Sequence, residues 1–84
     1  MIYILLETGK WYKGETCLDL VKALRDATWM VENNIRYMEG VAQRCRIWNG
    51  DVLQFNNEDE FIAELLRVGV IKEMVVKEED TVNG

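Results

Sequence analysis

The stretch TCLDLVKAL, residues 16–24, decides the fold because it joins a helix start to a one-sided apolar stripe. Thr16 is a good N-cap residue, and Asp19, three positions later, completes a box-like acidic start. The apolar residues then recur at helical spacing, at Leu20, Val21 and Leu24. The stretch therefore predicts an amphipathic helix with one face on a core.

The same chemistry recurs 41 residues later, in NEDEFIAEL at residues 57–65. Asn57 takes the place of the N-cap threonine, and Glu60 takes the place of the acidic residue. The apolar stripe of this second helix consists of Phe61, Ile62 and Leu65. The acids Glu58, Asp59 and Glu60 favour a helix N-terminus; their alternative use is a patch that mimics phosphates or binds a basic groove.

The same alignment places Thr8 and Gly9 over Asn49 and Gly50, two pairs typical of hairpin turns. IYILLE would pair with KWYKG around the first turn, and AQRCRIW with DVLQF around the second. VIKEMVVK, residues 70–77, would form a closing strand. Each half then reads as strand, turn, strand, helix, which suggests an internal repeat.

These patterns predict an α+β two-layer sandwich in ββα-ββα-β order, with a mainly antiparallel sheet and two helices on one face. We expect one compact domain at residues 1–77 and a flexible acidic tail at residues 78–84. The helix that starts at Thr16 is expected to continue to Asn33 or Asn34, either of which could end it.

Composition limits the partners and the compartment of the chain. The 84 residues are 49% hydrophobic with a net charge of −5, which is ordinary globular composition and disfavours general nucleic-acid binding. The apolar runs are too short for a membrane span or a signal peptide, so a cytoplasmic protein is expected. Cys17 and Cys45 lack zinc-site spacing, and we interpret both as small core residues.

The sequence gives little support to catalysis. It contains no histidine and no serine, so the commonest general base and a serine nucleophile are both missing. Neither GxGxxG nor GxxxxGK[ST] occurs, and the carboxylates lie on segments expected to be exposed. We expect no catalytic residue, no cofactor and no metal site.

The first candidate contact surface lies on the first helix, opposite its core stripe. At about 100° per residue, this side carries two apolar groups around two cations. Its members are Leu18, Lys22, Arg25 and Trp29. Trp and Arg are frequent interface hot spots, so the surface suits a foreign partner or a second copy of the chain. Alternatively, the helix bends before Trp29 and the ring packs back on the chain.

The second candidate surface lies on the predicted second hairpin. By strand alternation Cys45 and Ile47 would face the helices, and Tyr3 and Leu5 would extend the opposite, open face. That face would carry Arg44, Arg46 and Trp48. An aromatic and basic sheet face can stack single-stranded nucleic acid, contact a protein, or hold only solvated cation–π pairs.

Together these features suggest a non-catalytic protein-interaction module, an inhibitor or adaptor that occludes a partner's surface. Small acidic chains of this format include phage proteins directed against host defence systems. The alternative function is a nucleic-acid-binding accessory protein that uses the Arg44, Arg46 and Trp48 face. A homodimer, with a small-ligand groove at its junction, is a further expectation.

Overall fold

The computed structural model describes residues 1–28 and 33–77, which form an α+β fold. The elements in chain order are β1 (Ile2–Leu6), β2 (Trp11–Gly14), α1 (Cys17–Asp26), α2 (Asn34–Asn49), α3 (Glu58–Val68) and β3 (Ile71–Val76). The described strands form one antiparallel sheet of order β2-β1-β3. The predicted α+β class is confirmed, whereas the predicted tail at 78–84 lies outside the described residues.

Helices α1 and α3 begin at the residues that the sequence predicts. The Thr16 side chain accepts a hydrogen bond from the Asp19 backbone N–H at 3.2 Å. The Asn57 side chain accepts one from the Glu60 backbone N–H at 2.8 Å. Both predicted apolar stripes are buried, and their members are Leu20, Val21, Leu24, Phe61, Ile62 and Leu65. Capping therefore sets where each helix starts, and its stripe sets which face meets the core.

The core lies between the sheet and these two helices. Ile4, in the central strand β1, is 0% exposed, and Ile71 at the start of β3 is 1% exposed. Helix α1 packs on β2 and α3, and α3 packs on β3. Cys17 and Cys45 are buried free thiols, as predicted. Burial raises the pKa of Cys17 to about 11, and a hydrogen bond with Asp59 contributes in the same direction.

The first predicted hairpin is present, whereas the prediction of the second hairpin is wrong. β1 pairs with β2 as expected, and Gly9 adopts a positive φ of 92° in their turn. Residues 42–48, predicted to be a strand, belong instead to α2. Gly50, with φ of 74°, ends this helix instead of joining two strands. The repeat is therefore unconfirmed, although its two helix starts are present.

Helix α2 forms because its apolar pattern is helical over more residues than the strand-like alternation covers. Asn33 starts the helix, and its side chain accepts a hydrogen bond from the Arg36 backbone N–H at 2.8 Å. Buried and half-buried residues then follow at helical spacing, at Met38, Val41, Ala42 and Cys45. The prediction that Asn33 or Asn34 could end the preceding helix is thus wrong: Asn33 begins the next one.

Helix α1 is shorter than predicted. It ends at Asp26, with Ala27 as the C-cap residue, instead of continuing to Asn33 or Asn34. The Thr28 hydroxyl donates to the Arg25 carbonyl at 2.8 Å, which satisfies one carbonyl of the last turn. Trp29 follows this end and lies outside the described residues.

Alanine substitutions at two glycines should change the free energy of unfolding in opposite directions. A Cβ at Gly14 would lie 2.9 Å from the backbone nitrogen of Leu20, so Gly14→Ala should force β2 and α1 apart. We expect this substitution to lower the free energy of unfolding by about 1–3 kcal/mol. Gly40 lies inside α2, where an added Cβ would lie 4.0 Å from the guanidinium of Arg44, so Gly40→Ala should raise the free energy of unfolding by about 0.5–1 kcal/mol.

Urea unfolding of both variants, beside the wild type, measures these changes. A destabilising Gly40→Ala would contradict the helical assignment of residues 34–49, and an unchanged Gly14→Ala would contradict the close approach of β2 to α1.

Candidate binding surfaces

The side chains on one face of the sheet point away from the core. Ile4 pairs with Tyr12 on one side and Met74 on the other, and this row packs into the core. Side chains alternate across a strand, so the neighbouring rows project from the opposite face. That face, which we call the open sheet face, consists of Tyr3, Leu5, Trp11, Lys13, Glu73, Val75 and Lys77.

An aromatic and aliphatic strip runs across the open sheet face. Tyr3, Leu5 and Val75 are half-buried by their neighbours. Trp11 stands opposite Leu5 on the edge strand β2 and exposes 52% of its surface. Large apolar groups left accessible together are a common feature of surfaces that contact another molecule.

Cations flank this strip. Lys13 lies opposite Tyr3 on one side, and the Lys77 Nζ lies 5.7 Å from the Tyr3 ring centroid on the other. That distance permits a cation–π interaction. The open sheet face holds two lysines and one glutamate, so it is locally positive although the whole chain carries −5.

The outer edge of β3 carries unpaired backbone groups. Met1 and Lys77 exchange two hydrogen bonds of 2.9 Å at the end of the β1–β3 ladder. Antiparallel ladders alternate, so Val75 and Glu73 also direct their backbone groups toward β1. Met74 and Val76 therefore direct theirs outward, and within the described sheet β3 has no neighbour on that side. Val76 is 63% exposed.

The predicted surface on α1 is present in part. Leu18 is 52% exposed, and Lys22, four residues on, is also exposed. Arg25 is half-buried and forms a 3.4 Å ion pair with Asp26. Trp29 lies outside the described residues, so the structure does not test whether it completes this surface.

The predicted sheet surface of Arg44, Arg46 and Trp48 does not exist as a sheet face. All three are exposed residues of α2, and Trp48 is 78% exposed. Arg44 and Trp48, four residues apart, share a side of the helix, whereas Arg46 lies about 200° around the axis from Arg44. Tyr3 and Leu5 do lie on the open sheet face, as expected, but without these three residues.

Arg46 lines an open groove of about 970 Å³ between α2 and residues 52–56. Other members from α2 are Glu39, Ala42 and Gln43, and the opposite wall includes Val52, Gln54 and Phe55. The lining mixes both charges with amides and apolar groups, so the groove shows no preference for one ligand chemistry.

Residues 52–56 are held to α3 by side chains of that helix. The carboxylate of Glu60 accepts from the Asn56 backbone N–H at 2.7 Å, and that of Glu64 accepts from the Gln54 N–H at 3.1 Å. Gln54 and Asn56 are two residues apart, whereas the glutamates that bind them are four residues apart, about 6 Å along the helix axis. Two residues of a β-strand span nearly the same distance. The strand predicted at residues 51–55 is not formed, and the backbone N–H groups of Gln54 and Asn56 bond to side chains of a helix.

Arg67 completes this contact. Its guanidinium donates to the Val52 carbonyl at 3.0 Å and to both carboxylate oxygens of Glu64 at 2.8 and 2.9 Å. The hydrogen bonds from Arg67 to the carboxylate, with that from the Gln54 N–H, lower the pKa of Glu64 to about 2. Glu60, Glu64 and Arg67 together satisfy backbone groups of Asn56, Gln54 and Val52 from the side chains of α3.

Trp11 is the surface residue that the sequence reasoning missed. Tyr3 and Leu5 were placed on the open face, and the first hairpin register sets Trp11 opposite Leu5. The signal was the alternation of KWYKG, in which Trp11 and Lys13 share a face and Tyr12 takes the other.

Residues 1–28 and 33–77 contain no cluster of three or more metal-ligating side chains suited to an ion. No helix in those ranges has the length and apolarity needed to cross a bilayer. The chain matches no protein-family model, no curated protein and no solved structure. The geometry of the surfaces is therefore the basis for a functional proposal.

The contact between Glu64 and Arg67 predicts a pH-dependent stability. The pKa of Glu64 is depressed from 4.5 to about 2 on folding, so the charged form is favoured in the folded state. Its stabilising effect should be complete above about pH 4.5 and decline as the pH falls toward 2. Glu64→Gln should lower stability at pH 7, and the deficit should shrink over that acidic range.

Urea unfolding midpoints of the wild type and Glu64→Gln, measured from pH 7 downward, test this expectation. Glu39→Gln is the control for removing a carboxylate, because the side chain of Glu39 forms no hydrogen bond or ion pair with the described residues. A Glu64→Gln deficit that stays constant through the acidic range would contradict it.

Proposed function

We propose that the chain is a non-catalytic protein-interaction module, an inhibitor or adaptor, that docks through the open sheet face. The main support for this proposal is the half-exposed Trp11 beside Leu5 and Tyr3, with Lys13 and Lys77 at the flanks. The matching partner surface is apolar at its centre and acidic at its rim. Binding acts by covering that surface, so the module needs no chemistry of its own.

The size of Trp11 makes it the main anchor of this proposal. A buried Trp removes roughly 200 Å² from water, and half of that surface is already covered in the free chain. Burying the remaining ~100 Å² is worth about 2.5 kcal/mol at 25 cal/mol/Å². This is the scale of an interface hot spot, before the costs of association.

The lysines contribute orientation and partner choice more than affinity. Lys13 and Lys77 lie on either side of Tyr3, so acidic groups of a partner are attracted to both flanks of the apolar strip. The proposed setting is the cytoplasm, where the free thiols of Cys17 and Cys45 stay reduced. Phage proteins that block host defence systems are one group to which such a module would belong.

Affinity capture with matched tryptophan variants tests the proposed surface. Trp11→Ala should weaken retention of a specific partner by roughly tenfold to hundredfold, because it removes the apolar anchor. Trp48→Ala is the control, since it removes an equally large exposed ring from α2. The captured protein is then purified, and its affinity for each variant is measured by calorimetry.

Trp11→Ala, Trp48→Ala and a third variant on α1, Leu18→Ala, give distinguishable outcomes. Loss of binding with Trp11→Ala alone supports the open sheet face. Loss with Trp48→Ala alone, or with Leu18→Ala alone, would move the binding site to a helix surface and contradict the proposal.

The same face supports a second candidate function, a nucleic-acid-binding accessory protein. The favouring observation is that Tyr3 and Trp11 lie on a sheet face with Lys13 and Lys77, as in single-strand binders. The net charge of −5 opposes it. Single-stranded oligonucleotides at low salt should leave the tryptophan fluorescence unchanged if the protein-binding function is right. A salt-sensitive quench that Trp11→Ala abolishes would favour the alternative.

A further inference from the structure

The outer edge of β3 has a self-complementary sequence. The strand ends in Glu73, Met74, Val75 and Val76 and is followed by Lys77, so a negative charge and a positive charge lie at equal distances from Val75. Read backwards, the same five residues place the positive charge where the negative one stood. An edge with this pattern can match a second copy of itself, provided that the backbone groups also match.

Only some registers of the two strands match both the charges and the backbone hydrogen-bonding groups. Met74 and Val76 carry the outward backbone groups, so a symmetric antiparallel pair must place these residues opposite one another. Centring the pair on Glu73 would oppose two glutamates, and centring it on Met74 or on Val76 would oppose a charged residue, Glu73 or Lys77, to Val75. Centring it on Val75 opposes Glu73 to Lys77 on one face and Met74 to Val76 on the other.

We propose that β3 pairs with β3 of a second copy of this chain in this antiparallel register, with Val75 opposite Val75. Two three-stranded sheets then become one six-stranded sheet. By two-fold symmetry each dimer contains two Glu73–Lys77 pairs and two Met74–Val76 pairs, all between chains.

The exposed surface at this edge agrees with the pairing. Val76 is 63% exposed in the single chain and would contact Met74 of the second copy. Lys77 already lies over Tyr3 on the open sheet face, the side on which Glu73 also projects. Dimerisation does not cover Trp11, which belongs to β2 at the opposite edge of the sheet. The inference thus goes beyond the proposed function and does not depend on it.

A charge swap tests the register directly. Glu73→Lys would oppose like charges at two symmetric points, so the dimer dissociation constant should rise by about tenfold or more, as should that of Lys77→Glu. The double variant Glu73→Lys/Lys77→Glu restores opposite charges and should return the constant to near the wild-type value. Within one chain these residues are about 13 Å apart along the strand, so an intramolecular pair cannot explain the rescue.

Sedimentation equilibrium across a concentration range, at low salt, measures the dissociation constants. A wild type that remains a monomer up to about 1 mM would overturn the proposal. A wild-type dimer whose double variant stays as weak as the single variants would also overturn it, because another register or another surface would then hold the dimer.

A second variant tests the edge without changing any charge. The Val76 N–H points outward, so Val76→Pro should block pairing with a second copy and leave the β1–β3 bonds of Met1 and Lys77 intact. Val76→Thr keeps the N–H and is the matched control. We expect a folded monomer for the first and a dimer for the second; a dimer that persists in a folded Val76→Pro variant would contradict the proposal.

Trp11→Ala separates this inference from the proposed function. It should leave the dimer dissociation constant unchanged, because Trp11 lies on β2, at the edge of the sheet opposite β3. A monomeric Trp11→Ala variant would overturn the β3 pairing by placing the dimer contact on the β2 side of the sheet, around Trp11.

Discussion

The packing of α1 and α3 on the centre of the sheet is the interaction on which the rest of the structure depends. Ile4, Leu20 and Phe61 are all fully buried where these elements meet. A chain of 84 residues has apolar surface enough for one such core, so one face of the sheet is used and the other is left accessible.

A second constraint is that residues 52–56, which belong to no helix or strand, must satisfy their backbone groups. Glu60, Glu64 and Arg67 bind them to α3, through carboxylates and a guanidinium. The sheet therefore keeps three strands within the described residues, and β3 remains at its edge.

Local signals predicted more of this fold than long-range ones. Thr16 and Asn57 act within four residues of themselves, so both helix starts could be recognised from the sequence. The strand predicted at residues 42–48 failed because its alternation is short, while the helical spacing from Met38 to Cys45 covers more of the chain. An Asn-Gly pair serves a helix end as readily as a hairpin. Neither the free edge of β3 nor the groove beside Arg46 could be predicted, because each depends on elements distant in sequence.

The strand order also has a consequence for folding during synthesis. The central strand β1 pairs with β3, and the rung of Met1 and Lys77 joins residues 76 positions apart. On the ribosome β1 is therefore made early and waits for its second partner until nearly the whole described chain has emerged. The hairpin with β2 and the packing of α1 protect its apolar residues in the interval. β3 follows the other described strands along the chain and completes the sheet, so a nascent chain that stalls before β3 leaves the second edge of β1 without its partner and open to aggregation.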